Sequence, residues 1–484
     1  MKIIGIILLT VIALILAALF IAVIRTLLLP AKVCGDVPPA DPARTEAYAE
    51  KLSRLVQYET VSHRGAPDPE KFRGFHTLLS ELYPTVFSRL EKIEIDGNLM
   101  MRWLGKDPSL KPIMLISHQD VVPAEGSWTY PPFSGAIADG KVWGRGSADV
   151  KCGIMAFYQA AEELLAEGYE PVCDIYLGSS CTEEIGGDGA PKMAAWLAEH
   201  GVRLFMLCDE GGAIVRDPIS GVKGSFASIG IFEKGYGDLR FTARSKGGHS
   251  SKPPKNTPIV RLARFEAAVE KHDPLKSAFS PAVEQMFACL APYCTNFALK
   301  TVMHNLWLFK PLLKKVLPFI SPEAAAMLKT TIAFTMQKGS DGANVLPQEA
   351  WVNANLRYIP HQGLEESNAV LTRLAEKYGL TAEFMGGNAP SRSLDLDGEA
   401  YRITCDTVNK VFPGIGIMPY VVIGGTDSRF FDAAAESCVR FSPVLYGQEQ
   451  LDGMHGIDEN LSAASLPPAV DYFKEIIRAQ EGRR

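Results

Sequence analysis

Four short apolar runs in this chain each end in a polar cluster, and that repetition constrains the fold more than any other feature. Ile113–Ser117 leads into His118, Val172–Gly178 into Glu183, Leu204–Cys208 into Asp209, and Val421–Ile423 into Gly424. Apolar runs of this length bounded by turn residues read as strands buried on both faces. Helical patterns alternate with them, at Gly153–Ala166 closing on Gly168 and at Ala190–Glu199 closing on Gly201. Alternation of this kind predicts an α/β fold, a mixed, largely parallel sheet with flanking helices. Ligands of such sheets gather outside the carboxyl ends of the strands, where these polar clusters stand.

From about Tyr236 the pattern changes. Asp238–Ala243 (DLRFTA) and Ala350–Arg357 (AWVNANLR) alternate apolar and polar residues as half-exposed strands do, with helical stretches between them. This predicts an inserted α+β lid domain over 236–360 that splits the catalytic domain into 46–235 and 361–484. Inside the lid, His272–Gln337 reads as a long helical insertion centred on NLWLFKPLLKKVLPFI. Lys and Pro break it too often for it to span a membrane. A lid core or a dimer contact is its first reading, and a surface for acyl chains or the bilayer its second.

The N-terminus differs from both. Ile3–Ile24 is 22 residues without a charge, followed by Arg25 and Lys32. At ~1.5 Å per residue it spans about 30 Å of hydrocarbon. The apolar core of a cleaved signal peptide is usually only ~7 to 15 residues. Segment 3–29 is therefore expected to be a single-pass membrane anchor, with 33–45, rich in Pro and Asp, as its linker. The catalytic domain is expected on the extracytoplasmic or lumenal side, although the few positive charges flanking the anchor are nearly balanced.

Composition narrows the chemistry. Forty-nine Lys and Arg against 55 Asp and Glu give a net charge of -6 with no basic tract, so nucleic acid is not an expected partner. The nine cysteines form no CxxC pair or regular spacing, so a metal would have to use His and carboxylates. Cys152 and Cys181 read as packing residues, and Cys289 and Cys294 as free thiols.

The strand-end clusters hold such ligands. His118 lies in SHQDVVPA with Asp120 two residues on, a spacing at which a carboxylate can orient an imidazole. Asp149 lies in WGRGSADVKCG just before a helix, where by itself it could be an N-cap. Glu183 and Glu184 stand side by side after one strand, and Asp209 and Glu210 after another. Adjacent carboxylates at the end of a buried strand repel, and a cation between or beside them is the simplest account. His455 in GMHGIDEN supplies a second imidazole. Two histidines and several carboxylates suit a pair of zinc ions ~3.5 to 4 Å apart.

Together, SHQDVVPA, GRGSADVKCG, CTEEIGG, DEGG, GGHSSKPP, GGTDSRFF and MHG resemble the motifs of the zinc aminoacylase and carboxypeptidase superfamily, from about Glu46 to the C-terminus. The resemblance is strongest to the branch of carboxypeptidase S and the N-fatty-acyl-amino-acid synthase/hydrolases. It implies a di-zinc exopeptidase-like fold and two Zn(2+) per chain. Asp149 would bridge the two metals, with His118 and Asp209 completing one site and Glu184 and His455 the other. Relatives differ in whether an Asp or a Glu serves at the 209/210 position, and the expectation falls on Asp209. Glu183 becomes the general base, and Asp120 orients His118.

In the lid, the resemblance implies that His249 steadies the oxyanion, reaching the site from a partner subunit in many relatives and so suggesting a homodimer. Asn344 in GANVLP would donate to the same intermediate. Arg357 in NLRYIP, with the amides of Gly424 and Gly425, would hold a carboxylate. The implied enzyme is an amidohydrolase or carboxypeptidase. It would cleave the amide between an acyl or peptidyl group and an amino acid with a free carboxylate, in a small N-acyl amino acid or short peptide. Condensation of a fatty acid with an amino acid is the rival reading, because it passes through the same transition state. A catalytically silent scaffold would have lost a ligand or the base, and here every such position is filled.

Overall fold

The apolar runs become strands because they lie where both faces of a sheet are covered. A computed structural model describes residues 2–65 and 68–483. Ala66 and Pro67, within the expected catalytic part 46–235, and Arg484, at the end of 361–484, lie outside the described residues. In chain order the strands that carry the architecture are β1 (Glu91–Ile95), β2 (Asn98–Trp103), β3 (Ile113–His118), β4 (Ile175–Ser180), β5 (Leu204–Arg216), β6 (Ser225–Glu233), β7 (Gly235–Arg244), β8 (Thr331–Lys338), β9 (Glu349–Tyr358), β10 (Thr381–Asn388), β11 (Gly416–Val422) and β12 (Ala435–Tyr446). The helices used below are α1 (Lys2–Leu28), α2 (Lys151–Ala166), α3 (Gly189–Glu199), α4 (Pro258–His272), α5 (Pro281–Leu290), α6 (Phe297–His304), α7 (Leu306–Ile320), α8 (Pro322–Leu328), α9 (Leu364–Glu376) and α10 (Leu466–Ala479).

Eight strands form one mixed sheet in the order β1-β2-β4-β3-β5-β12-β6-β11. The central four, β4-β3-β5-β12, are parallel, and β11 runs parallel to β6. β1 and β2 are antiparallel additions at one edge. Every residue of β3 and β4 is buried. Leu115 and Leu177 join a core with residues of α2 and α10 on one face, while Met114, Ile116 and Tyr176 join Met193 and Leu197 of α3 on the other. Alternating side chains thus fill both faces, and the polar residues that follow β3 and β4 emerge together at one rim.

A four-stranded antiparallel sheet, β8-β9-β7-β10, forms the smaller unit. Phe265 of α4 and Leu371 of α9 cover one of its faces, over Leu239, Phe241 and Val352. This is the two-layer lid, but it extends past the expected boundary at 360, because β10 pairs along the free edge of β7. The helical insertion is shorter than expected and sits elsewhere. It closes with α8, and Thr331–Lys338 is a strand of the lid sheet. Val283, Met286 and Leu290 of α5, with Met303 of α6 and Leu328 of α8, belong to the core of the large sheet. The physical reason is that β11 is an edge strand, and α5 covers it.

The segment after α1 is docked rather than free. The Gly35 amide donates to the Gly414 carbonyl (2.7 Å) and the Ser225 amide to the Gly35 carbonyl (3.2 Å). The expected linker 33–45 also ends early, since a helix begins at Pro42, where the Asp41 carboxylate caps the Arg44 amide (2.9 Å).

Glu233, at the end of β6, is wholly buried and ties the Gly424–Arg429 loop to the sheet. It accepts from the Thr426 amide (2.8 Å), from the Thr426 and Ser428 hydroxyls (2.8 Å each) and from Arg440 Nε (2.6 Å). Burial alone would raise this carboxyl, but the Arg440 and Arg429 guanidiniums hold it below its ordinary range. Arg440→Met should leave Glu233 short of a partner and cost about 3 kcal/mol of unfolding free energy, read as a lowered denaturant midpoint. An unchanged midpoint would show that Arg429 suffices.

Candidate metal centre

Two imidazoles meet on one carboxylate. His118, the last residue of β3, is buried, and its Nε2 lies 3.1 Å from Asp149 Oδ1 and 3.2 Å from Glu210 Oε1. His455 Nε2 lies 3.1 Å from Asp149 Oδ2 and 3.0 Å from Glu184 Oε2. Each oxygen of Asp149 therefore faces a different group of ligand-type atoms, His118–Asp149–Glu210 on one side and Asp149–Glu184–His455 on the other. His455 takes a left-handed backbone (φ 56), an uncommon conformation for a non-glycine residue that often marks a functional constraint.

Buried carboxylates outside the cluster hold it in place. Glu459 Oε1 accepts the amides of Gly146, Ala148 and Asp149 (2.9–3.0 Å), and its Oε2 accepts from Arg145 (2.7 Å). The loop that presents Asp149 is thereby fastened to the segment that carries His455. Asp120 works differently from expectation. Its backbone carbonyl, not its carboxylate, accepts from His118 Nδ1 (2.8 Å against 3.7 Å). The carboxylate instead accepts the amides of Glu183 (3.1 Å) and Glu184 (3.2 Å) and the Ser62 hydroxyl (2.7 Å). Asp120 thus sets the imidazole tautomer and the turn bearing both glutamates.

Glu210, not Asp209, faces the cluster. β5 does not stop at Cys208 but continues to Arg216, so neighbouring side chains along it point to opposite faces. Glu210 turns toward His118, and Asp209 turns away to accept the Ser428 amide (2.7 Å). The expected ligand Asp209 is corrected accordingly.

The electrostatics are those of crowded anions. Burial pushes Glu210 up to about 7 and raises Glu183 well above the usual carboxylate range. Asp149 goes the other way, because hydrogen bonds from His118 and His455 overcome its burial. Hydrogen bonds to Asp149 and Glu184 raise His455 to about 10. His118 also lies well above the ordinary imidazole value, because Glu210 and Asp149 outweigh the effect of its burial. Two imidazoles can offset only part of the charge of the three converging carboxylates, whereas divalent cations would balance it. The donor set fits a metal. It offers imidazole nitrogen and carboxylate oxygen with no thiolate, and Glu184 Oε1 is buried without a hydrogen-bond partner. Ligand-atom separations of 3.0–3.2 Å match the about 3.3 Å edge of a tetrahedron with ~2.0 Å metal bonds.

Glu183, Arg357, Gly424 and Gly425 line one cavity of about 870 Å³ with Asp149 and His455. The Arg357 guanidinium lies 5.0 Å from the Tyr236 ring centroid. A second cavity of about 460 Å³ opens from Asp149 and Glu210 and is lined by Ala213, Val215, Met418, Tyr420 and Leu451. Sequence reasoning missed Asp427, which accepts from the Ser180 hydroxyl, and Arg429, which donates to Asn388 Oδ1 (3.1 Å). Both lie in the GGTDSRFF motif that supplied Gly424 and Gly425. His249 and Asn344 are exposed and line neither cavity of their own chain. The His249 ring accepts the Ser251 amide (3.1 Å), and the Asn344 carbonyl accepts the Ser250 amide (3.0 Å). Cys152 and Cys181 are buried, and all nine cysteines are free thiols.

A mixed sheet with a separate lid, and a carboxylate shared between two His/carboxylate clusters at the strand ends, define a two-metal hydrolase. The chain belongs to peptidase family M20/M25/M40, whose model matches residues 114–479. It is 34% identical over 437 residues to the N-fatty-acyl-amino acid synthase/hydrolase PM20D1 of Xenopus tropicalis, covering 89% of this chain and 85% of that one. It is 31% identical to the probable carboxypeptidase S-like 2 of Dictyostelium discoideum, covering 90% and 85%. Its fold matches the M20 family metallo-carboxypeptidase Sso-CP2 from Sulfolobus solfataricus with a TM-score of 0.64 at 17% identity, covering 89% and 98%. The protein is a zinc-dependent hydrolase of the carboxypeptidase type.

The choice between the adjacent acids on β5 is directly measurable. Glu210→Gln should lower bound zinc from two to about one per chain by elemental analysis, while Asp209→Asn should keep two. The reverse pattern would return the ligand role to Asp209.

Proposed function

We propose that this chain removes an acyl or peptidyl group from the nitrogen of an amino acid with a free carboxylate, using two zinc ions held by His118, Asp149 and Glu210 on one side and Asp149, Glu184 and His455 on the other. The observation that carries this reading is the single cavity in which Glu183 and the Asp149 cluster share a wall with Arg357 and the Gly424–Gly425 turn. When bound, the zinc pair supplies Lewis acidity toward the scissile carbonyl and lowers the pKa of water. Glu183 takes a proton from the attacking water and delivers it to the leaving nitrogen. Arg357 pairs its planar fork with the substrate carboxylate, and the amides of Gly424 and Gly425 add donors that need no reorganisation. The acyl side extends into the 460 Å³ cavity, where Ala213, Val215, Met418 and Leu451 suit a hydrocarbon chain. The relatives named for N-fatty-acyl amino acids support that assignment. The anchor reading rests on α1, in which Ile3–Leu28 contains an 18-residue window with a mean hydropathy of 3.3 that is almost entirely exposed.

His249 and Asn344 are exposed and line neither cavity of their own chain, which supports a homodimer in which each chain offers them to its partner's site. There the imidazole and the amide steady the developing oxyanion.

Two experiments test the reading. An N-acyl amino acid should exceed its C-terminal amide in kcat/KM by about 30-fold to several thousand-fold, since the amide leaves the half-buried Arg357 guanidinium facing a neutral group that bound substrate cuts off from water. Arg357→Ala should narrow that gap, and an equally large gap in both proteins would remove Arg357 from carboxylate recognition. For the dimer, Glu183→Gln and His249→Ala should each be nearly inactive. When they are unfolded and refolded together, about a quarter of wild-type activity should return, because half the dimers are mixed and each mixed dimer has one intact site. No recovery would place His249 in its own chain's site, and an active His249→Ala would place it outside catalysis.

A further inference from the structure

The helix α7 leaves a strongly apolar face without a partner. Leu312, Val316, Phe319 and Ile320 follow the i, i+4, i+7, i+8 spacing of one helix face, and all are exposed, Phe319 by 87%. Trp307 is half exposed at the first turn. The opposite side points into the body of the protein, where Leu306 is buried and Lys310 pairs with Glu284 of α5 (2.5 Å).

What covers the exposed face follows from where α7 begins. Asn305, the residue that precedes it, is buried against α1, and its side-chain amide donates to the Ala22 carbonyl and to the Thr26 hydroxyl (3.1 Å each). Ala22 and Thr26 are the buried positions on the otherwise exposed α1. Ala22 precedes the end of α1 by six residues, about 9 Å along the axis. The start of α7 is thus held at the level where the apolar stretch of α1 gives way to Arg25. The body cannot swing away from this position. Lys300 Nζ donates to the Leu29 carbonyl (3.2 Å), the Lys32 amide to the Pro292 carbonyl (3.0 Å), and Gly35 is tied to Gly414 and Ser225.

We propose that α7 lies in the interfacial layer of the bilayer that α1 crosses, with Leu312, Val316, Phe319 and Ile320 among the lipid chains. The inference rests on the reading of α1 as a membrane span. An interfacial helix needs a large apolar face and cations beside it, and the exposed Lys314 and Lys315 meet the second condition. Their long stems let the ammonium groups reach lipid phosphates while the neighbouring residues sink into the chains. The docked side also carries the rim of the smaller cavity, since Arg216 lines it and lies 3.4 Å from Asp36, a few residues beyond α1. Docking would hold that cavity close to the membrane surface.

The tryptophans make the test specific. Trp307 is one of six, and the other five, Trp103, Trp128, Trp143, Trp196 and Trp351, lie in the catalytic domain and lid, with none in α1. Full-length protein is reconstituted into phosphatidylcholine/phosphatidylglycerol vesicles with or without brominated acyl chains and separated by flotation. Co-flotation reports α1, and quenching of tryptophan emission by the brominated chains reports α7. The expected result is co-flotation with tryptophan emission quenched more strongly in Phe319→Trp, which puts an indole on the apolar face, than in the wild type. Co-flotation with no added quenching in Phe319→Trp would overturn the placement of α7 while leaving α1 as an anchor. Protein that stays with the soluble fraction would refute the anchor and the inference together. If the added quenching is absent and a detergent-solubilised dimer dissociates on Phe319→Asp, the face belongs to a second copy of the chain.

Discussion

Crowding of negative charge at the carboxyl ends of the central strands is the constraint on which the site depends. Asp149, Glu184 and Glu210 converge on two imidazoles, with Glu183 beside them and Asp120, Asp427 and Glu459 buried behind. Anions removed from water are tolerated only when paired or richly hydrogen-bonded. The outer carboxylates meet that condition within the protein. Glu459 takes three backbone amides and Arg145, and Asp120 takes two amides and a hydroxyl. The inner three have only histidines opposite them, so this is where cations belong. Rigidity supplied by the outer shell is what lets the inner ligands hold metal-like spacings.

The same arrangement separates the parts of the reaction in space. The metal cluster occupies the sheet rim, Arg357 and the Gly424–Gly425 turn line the larger cavity with it, and the smaller cavity, with Ala213, Val215, Met418 and Leu451 in its lining, opens from Asp149 and Glu210. A substrate with a carboxylate at one end and hydrocarbon at the other would lie across the cluster with its amide at Glu183. Affinity for the two ends would come from different walls, so changes in acyl preference need not disturb the chemistry.

Much of this was legible in the sequence because strand-end loops carry their ligands in short, contiguous motifs. His118, Asp149, Glu184 and His455 converge as their motifs implied. The apolar run looks complete at Cys208, but β5 continues through polar residues, and the side-chain period of two turns Glu210, not Asp209, toward His118. The role of the Asp120 carbonyl was hidden for a related reason, since sequence shows which side chains are present and not which backbone groups they displace. Asp427 and Arg429 stood within a motif already singled out, and Glu459 stood four residues after His455, yet a buried acid that binds amides has no signature distinct from a surface one. The insertion was misplaced because apolar periodicity shows that α5 must be covered without showing which sheet covers it.

Anomalous diffraction from crystals of the zinc-loaded enzyme, recorded on both sides of the zinc absorption edge, tests the central claim most directly. Two peaks ~3.5 to 4 Å apart are expected, one beside His118 and Glu210, the other beside His455 and Glu184, with an oxygen of Asp149 directed at each. A single peak would contradict Asp149 as the shared carboxylate of a two-metal centre, and a peak ligated by Asp209 would contradict the choice of Glu210.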